Sequence, residues 1–203
     1  MIDMKTIVVP GEQVADKPVN SFGVYTYNNK TYSKQLGVLY SVEHIKVVPL
    51  TGKYMPKEGD QIIGLVIQED LYGYILDIKS FRLPYIHKRS IKTELKVGDL
   101  VLCNVYFVNE IKEASIDILA KLETGMLFEV SSKKVPRIIG KHRSMISLLE
   151  KYLGSKIIVG ANGYIFAKGG KLNILKDALK IINKYSYVDN LTEKMKVYLE
   201  NIK

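Results

Sequence analysis

Cysteine is nearly absent from this sequence of 203 residues. The one thiol, Cys103, excludes an internal disulfide framework and fits a reducing compartment, so a cytoplasmic protein is expected. His44, His87 and His142 are far apart and share no zinc-like spacing with it, so neither a metal nor another cofactor is expected. No apolar run approaches the roughly 18 residues of a membrane span. The opening MIDMKTIVVPGEQ carries an early acid and only a short apolar run, which does not suit a secretory signal. Common signatures of catalysis are missing as well: there is no phosphate loop, no GxSxG and no HExxH. Asp60, Asp77, Asp99 and Asp117 could in principle gather around a metal for phosphodiester cleavage. Two of them belong to turns and two to alternating strands, where solvated carboxylates are ordinary. The expectation is a protein that binds and does not catalyse.

Acidic charge is scarce at one end only. The net charge is +9, and residues 1–52 carry five Lys against four acids. Residues 53–124 carry ten Lys and Arg against eleven acids, and residues 125–203 carry fifteen against six. The last segment therefore holds the whole imbalance. Concentrated basic charge attracts polyanions by releasing the counterions condensed on phosphates. A solvated lysine-rich surface would give the same count. No helix joins a basic face to a broad aromatic or leucine face, which argues against a lipid surface. Apolar content of 47% supplies ordinary cores, and the length suits one large domain or two to three small ones.

The pattern along the chain predicts three parts. In residues 1–52, Ile7-Val8-Val9 stops at Pro10-Gly11, and runs over 22–27 and 32–40 flank the turn Asn28-Asn29-Lys30. Residues 47–52 read as a strand ending in a turn. The tyrosines here are read as strand packing. In residues 53–123, Lys57-Glu58-Gly59-Asp60 and Lys96-Val97-Gly98-Asp99 each launch an apolar strand, over 61–68 and 100–109. Strands over 72–78 and 114–120 complete a unit whose longest connection is the loop 80–90. That count and spacing suit a small closed barrel of the oligonucleotide-binding type. Residues 124–203 change character: a strand over 126–130, a turn of helix over 136–139, and a helix over 144–153 with Met145, Leu148, Leu149 and Tyr152 on one face. Ser144 is the expected N-cap and Gly154 the stop. Strands over 157–159 and 164–167 flank Ala161-Asn162-Gly163, a strong hairpin signal. Leu172, Leu175, Leu179 and Ile182 mark another helix, and residues 191–202 a last, polar one.

Two basic constellations stand out. Gly140-Lys141-His142-Arg143 lies between two helices, with Arg137 just before it. Glycine there lets backbone approach a phosphate, helix-opening N–H groups favour an anion, and the side chains add charge. The same turn could be merely solvated, but the charge excess falls in this segment. On the loop 80–90, Arg82, His87, Lys88 and Arg89 interleave with Phe81 and Tyr85. They could hold a nucleic-acid strand by charge and stacking, or form a basic loop with both aromatics tucked inward. Gly160-Ala161-Asn162-Gly163 reads on its own as a turn.

Taken together these segments resemble a known family. The strand starts GDQIIGLVIQ and GDLVLCNVY resemble an S1-type RNA-binding barrel, and VPRIIGKHRSMI followed by VGANGYIFAKG resembles a KH-type RNA-binding domain. The order, with VVPGE and KVVPLTGKYMPKEGDQIIG ahead, is similar to that of the cap subunits of the archaeal RNA exosome. The resemblance implies a mixed multi-domain fold: an N-terminal β domain over 1–52, an S1-type OB-fold β-barrel over 53–123, and a C-terminal α+β KH domain over 124–203. VGANG matches the family's GxNG signature at Gly160, Asn162 and Gly163, which the resemblance implies to be structural or RNA-contacting. KH domains usually place glycine where Arg143 stands; a side chain there either blocks close backbone approach or makes its own phosphate contact.

The function implied is non-catalytic: single-stranded RNA captured by Arg82, His87, Lys88, Arg89, Arg137, Lys141, His142 and Arg143, and its 3′ end threaded into a hexameric ring of RNase-PH-like subunits carrying three copies of this chain. The N-terminal domain would make most of the ring contact. A polynucleotide phosphorylase also combines the two modules, but with KH before S1 and behind catalytic domains for which this chain is too short. A stand-alone binder associated with translation or ribosomes is the remaining alternative.

Overall fold

The computed structural model describes residues 6–40, 45–186, 188 and 190–201. His44 and Ile202, used in the sequence reading, lie outside them. The chain divides into two compact units, residues 1–52 and 53–203.

The first unit holds two three-stranded antiparallel sheets. One has the order β1 (Thr6–Val8), β5 (Gly37–Tyr40), β6 (Lys46–Pro49); the other has β2 (Gln13–Ala15), β4 (Lys30–Ser33), β3 (Val24–Tyr27). Asn28 and Asn29 sit at φ 46° and 59° and close the β3–β4 hairpin as a two-residue turn, as their side-chain chemistry predicts. The apolar run expected over 32–40 is not one strand. It breaks after Ser33, whose hydroxyl donates to the Gln35 carbonyl and accepts from the Gln35 amide. The halves then enter different sheets. Tyr25 and Tyr32 are cross-strand partners with rings stacked at 5.6 Å, and both Tyr25 and Tyr27 are exposed. The buried core is small: Val8, Val24 and Val47, with Val14 and Leu39 against it.

The second unit begins with a five-stranded antiparallel sheet. Its order is β11 (Ala114–Leu122), β10 (Leu100–Val108), β7 (Gln61–Glu69), β8 (Gly73–Asp77), β9 (Tyr85–His87). Gly59 and Gly98, in the two launching turns, have φ of +84° and +96° with open space at the Cβ position, so backbone conformation and not crowding asks for glycine there. Ile62, Val66, Leu76, Val101, Cys103 and Val105 alternate inward along the strands and share one buried cluster. Two expectations change. The stretch 80–90 holds a strand, β9, and not loop alone. The strand order also has two ends: among the described residues no ladder joins β9 to β11, and the closure expected of a barrel is not seen. β9 is three residues long and, among the described residues, pairs with β8 alone.

A second antiparallel sheet follows, ordered β12 (Met126–Glu129), β14 (Tyr164–Lys168), β13 (Lys156–Val159). Helices α1 (Val135–Ile139), α2 (Ser144–Leu153), α3 (Leu172–Lys184) and α4 (Leu191–Glu200) pack through one core. Ile138, Met145, Leu149, Leu175, Ile182 and Met195 are at its centre. α3 buries Leu175, Ala178, Leu179 and Ile182, the helical spacing its apolar residues announce. Gly154 ends α2 at φ +66°, its N–H on the Glu150 carbonyl. Ser144 is not a cap. It is the first helical residue, and Arg143 takes the cap position in left-handed conformation with no side-chain hydrogen bond.

Candidate nucleic-acid interface

The stretch from Ser80 to Ser90 presents four of the expected side chains. Ser80 is buried, and its hydroxyl donates to the Arg82 carbonyl while accepting from the Arg82 amide. That small ring fixes the turn and leaves Phe81 70% exposed, with the Lys53 ammonium 5.1 Å from its ring centre. Tyr85 is also exposed, its ring edge-on to His87 at 4.9 Å and its hydroxyl on Asp70 at 2.9 Å. Both aromatics therefore face outward. Arg82, His87 and Arg89 are exposed, and neither arginine has an ion pair among the described residues. Lys88 differs. Its ammonium bonds Glu69 at 2.7 Å and lies 5.3 Å from the Tyr74 ring, and the Glu69 hydrogen bond raises its pKa. Its charge is partly spent on its neighbour.

The turn between α1 and α2 gathers the second group. Lys141, His142 and Arg143 are all exposed, and Arg137 is half-buried on α1. Gly140 has φ +74°, and a Cβ there would come within 2.7 Å of the Met145 amide nitrogen, so no other residue fits without rearrangement. His142 and Arg143 follow at φ 51° and 63°. Three of the four residues 140–143 in this rare region bring the turn close to the helix start and push its side chains into solvent. Beneath it, Arg143, Ile139, Ile146 and Glu150 line a groove of about 270 Å³, with β13 opposite and Gln61 and Leu102 of the five-stranded sheet also on its wall. Glu150 accepts the Ile157 amide at 3.0 Å. That carboxylate shares the groove wall with Lys156 and Arg143.

The Gly160–Gly163 turn sits elsewhere. Asn162 is fully buried. Its amide nitrogen donates to the carbonyls of Ile63 at 2.7 Å and Ile78 at 3.1 Å, and its oxygen accepts the Ile63 amide at 3.3 Å. The Ala161 amide donates to the Gln61 carbonyl at 2.9 Å. A carboxamide offers the donor and acceptor of a peptide group, so Asn162 acts here as one more rung where the β7–β8 ladder has run out. A Cβ on Gly160 would lie 2.4 Å from the Asn162 oxygen, and one on Gly163, at φ +84°, 2.3 Å from the Val130 carbonyl.

Sequence reasoning missed the residues around this turn. The Tyr164 hydroxyl donates to Asp77 at 2.8 Å, and burial, then Asp77, raises its pKa. The Lys79 ammonium bonds the Val130 carbonyl at 3.1 Å and Glu129 at 3.3 Å, 5.1 Å from the Tyr164 ring. Ile63, Tyr164 and Phe166 form a separate buried cluster joined by Leu100, Leu102 and Leu122. Only the position of Tyr164 just after Asn-Gly hinted at it. Cys103 is buried, which pushes its thiol up to about 12. Among the described residues, no three His, Cys, Asp or Glu side chains gather as metal ligands, and no helix is long and apolar enough to cross a membrane.

A strand, two helices bracketing a basic turn, and a hairpin define a KH module, and the KH domain family model matches residues 125–172. The wider comparison covers the rest. The chain is 34% identical to the exosome complex component Rrp4 of Picrophilus torridus, across 100% of this chain and 95% of that protein. It is 32% identical to the Rrp4 of Methanothermus fervidus, across 96% and 95%. A crystal structure of a proposed exosome complex RNA-binding protein superposes with a TM-score of 0.67 at 26% identity, covering 74% of this chain and 97% of that one. The chain belongs to the Rrp4 family of exosome complex components.

Proposed function

We propose that this chain is a non-catalytic, RNA-binding cap subunit of an exosome, working in the cytoplasm. It captures single-stranded RNA and guides the 3′ end into a hexameric ring of RNase-PH-like subunits, where 3′-to-5′ degradation takes place. Three copies cap one ring. The observation that carries the reading is the full-length likeness to Rrp4 proteins. The three-part division at 1–52, 53–123 and 124–203 belongs to the same proposal, with the five-stranded sheet as an S1-type domain. In chain order of its own strands that sheet runs 5-4-1-2-3, the neighbour order of a partly open oligonucleotide-binding barrel.

RNA is held at two places. Arg82, His87 and Arg89, with Lys88 in a lesser role, contact phosphates beside the stacking faces of Phe81 and Tyr85. Lys141, His142 and Arg143, supported by Arg137, contact phosphates at the KH turn. The arginine in place of the usual glycine makes a direct contact there, since its left-handed backbone already has the glycine-like shape. Gly160, Asn162 and Gly163 are structural. Their buried bonds to β7 and to Ile78 hold the KH module on the sheet and leave nothing for RNA. Co-expression with an RNase-PH-type ring, followed by mass determination of the intact assembly, tests the reading. Three copies on six ring subunits are expected. A chain that stays monomeric beside an assembled ring overturns the cap role.

A further inference from the structure

A cleft of about 300 Å³ opens where the five-stranded sheet meets the KH module. Tyr54, Met55 and Lys57, in the segment leading into β7, form one wall, and Ser132, Lys133 and Pro136, at the start of α1, form the other. Two features suggest what it takes. The walls combine apolar surface from Met55 and Pro136 with a phenol ring. Finally, Lys57 and Lys133 border the cleft, neither with an ion pair among the described residues. Asp60, the one acid on the wall, already accepts the Tyr54 hydroxyl at 2.5 Å.

Its position is as telling as its lining. The Tyr54 amide donates to the Lys79 carbonyl at 3.1 Å, and Tyr54 forms a parallel bridge with Ser80. The cleft wall is thus continuous with the turn that displays Phe81 and Arg82, and Lys53 already leans over the Phe81 ring. On the other side, Pro136 stands on the short helix that ends at Gly140. The cleft walls thus belong to segments that lead into both basic constellations.

We infer that this cleft is a nucleotide subsite that takes one base of a single RNA strand, with Lys57 and Lys133 on the flanking phosphates, and so joins the two RNA contacts into one track. The inference rests on the RNA-binding reading above. Volume agrees: small-molecule sites begin at about 300 Å³, enough for one nucleoside and too little for a duplex. The apolar walls of Met55 and Pro136 flank the base, and the two ammonium groups stand where its phosphates would leave the cleft.

The test uses the full chain and an RNA of about ten uridines, within the span that one barrel and its neighbour can hold. With 4-thiouridine at successive positions, photo-crosslinks are expected in the peptides carrying Tyr54–Lys57 and Ser132–Pro136. Crosslinks confined to the segments 82–89 and 141–143 overturn the subsite. The double variant Lys57→Ala, Lys133→Ala removes two phosphate contacts at about 0.7 each in the log–log salt slope. At about 0.1 M salt that amounts to roughly 25-fold weaker binding. Its thermal midpoint should match the parent, as both side chains border solvent. A parent chain that binds this RNA, with the variant binding equally well, sinks the subsite alone. A parent chain that binds no RNA sinks the RNA-binding reading as well.

Discussion

Asn162 spends its whole side chain on backbone groups of another part of the chain. Three hydrogen bonds converge on it, and no solvent reaches it to replace them. Asn162→Ala would strand the Ile63 amide and two carbonyls, each costing about 1–3 kcal/mol when buried without a partner. A total loss of about 3 kcal/mol is expected after partial relaxation, which for a chain of this length lowers the thermal midpoint by on the order of 10 °C. Circular dichroism melts of parent and variant check it; a shift of only a degree or two would show that the carboxamide is dispensable. Sequence alone offered two meanings for this residue, turn and ligand. The Asn-Gly pair does make the hairpin, but what fills the cleft behind it depends on Ile63, some hundred residues earlier, and no local pattern carries that information.

At the level of strands and helices, the legible parts are those where period and punctuation agree. The helix over 144–153 and the Asn28-Asn29 hairpin follow from spacing and from positive φ. β9 was not legible. Its three residues are too few for an alternation to register, and Pro84 in front of it reads as loop. The break after Ser33 was hidden for the opposite reason, since β-formers stand on both sides and only a serine hydroxyl turning onto Gln35 interrupts them. One further pairing sets a pH limit on the sheet. Asp99, entering β10, bonds Lys121 near the end of β11 at 2.7 Å and accepts the Lys96 amide at 2.7 Å. Partial burial pulls its pKa upward, but the Lys121 contact and the amide outweigh burial, and the net shift is downward from 3.8. A carboxylate with a lowered folded pKa adds stability that is complete above its unfolded value and is lost as the pH falls through the folded one. The parent should therefore lose thermal stability between about pH 5 and pH 2 more steeply than Asp99→Asn, while the two differ by a constant amount near pH 7. Parallel melting curves over the whole range would remove Asp99 from the acid response.

Across the whole molecule, charge is unevenly divided. Residues 1–52 are nearly balanced and residues 125–203 hold fifteen basic side chains against six acidic ones. The segment between them carries ten basic side chains against eleven acidic ones, yet among the described residues its Arg82 and Arg89 have no ion pair. Removing both by Arg82→Ala, Arg89→Ala should weaken binding to unrelated single strands about equally and flatten the log–log salt slope by about 1.4. Fluorescence anisotropy across a salt series reads this directly. An unchanged slope would move the RNA track off the β8–β9 side of the sheet. The arithmetic of charge was visible from the sequence, whereas the outward aim of Phe81 and Tyr85 was not, because one depends on a ring of hydrogen bonds at Ser80 and the other on a three-residue strand and a bond to Asp70. The bond between Asn162 and Ile63 also has a consequence in time. The two residues stand 99 apart. A ribosome adding about 5–20 residues per second needs on the order of 5–20 s to cover that distance. The sheet is complete only when β11 ends at Leu122, so it waits for its last rung over residues 122–162, about 2–8 s at that rate. Through that time the backbone groups of Ile63 and Ile78 have no Asn162 to meet them.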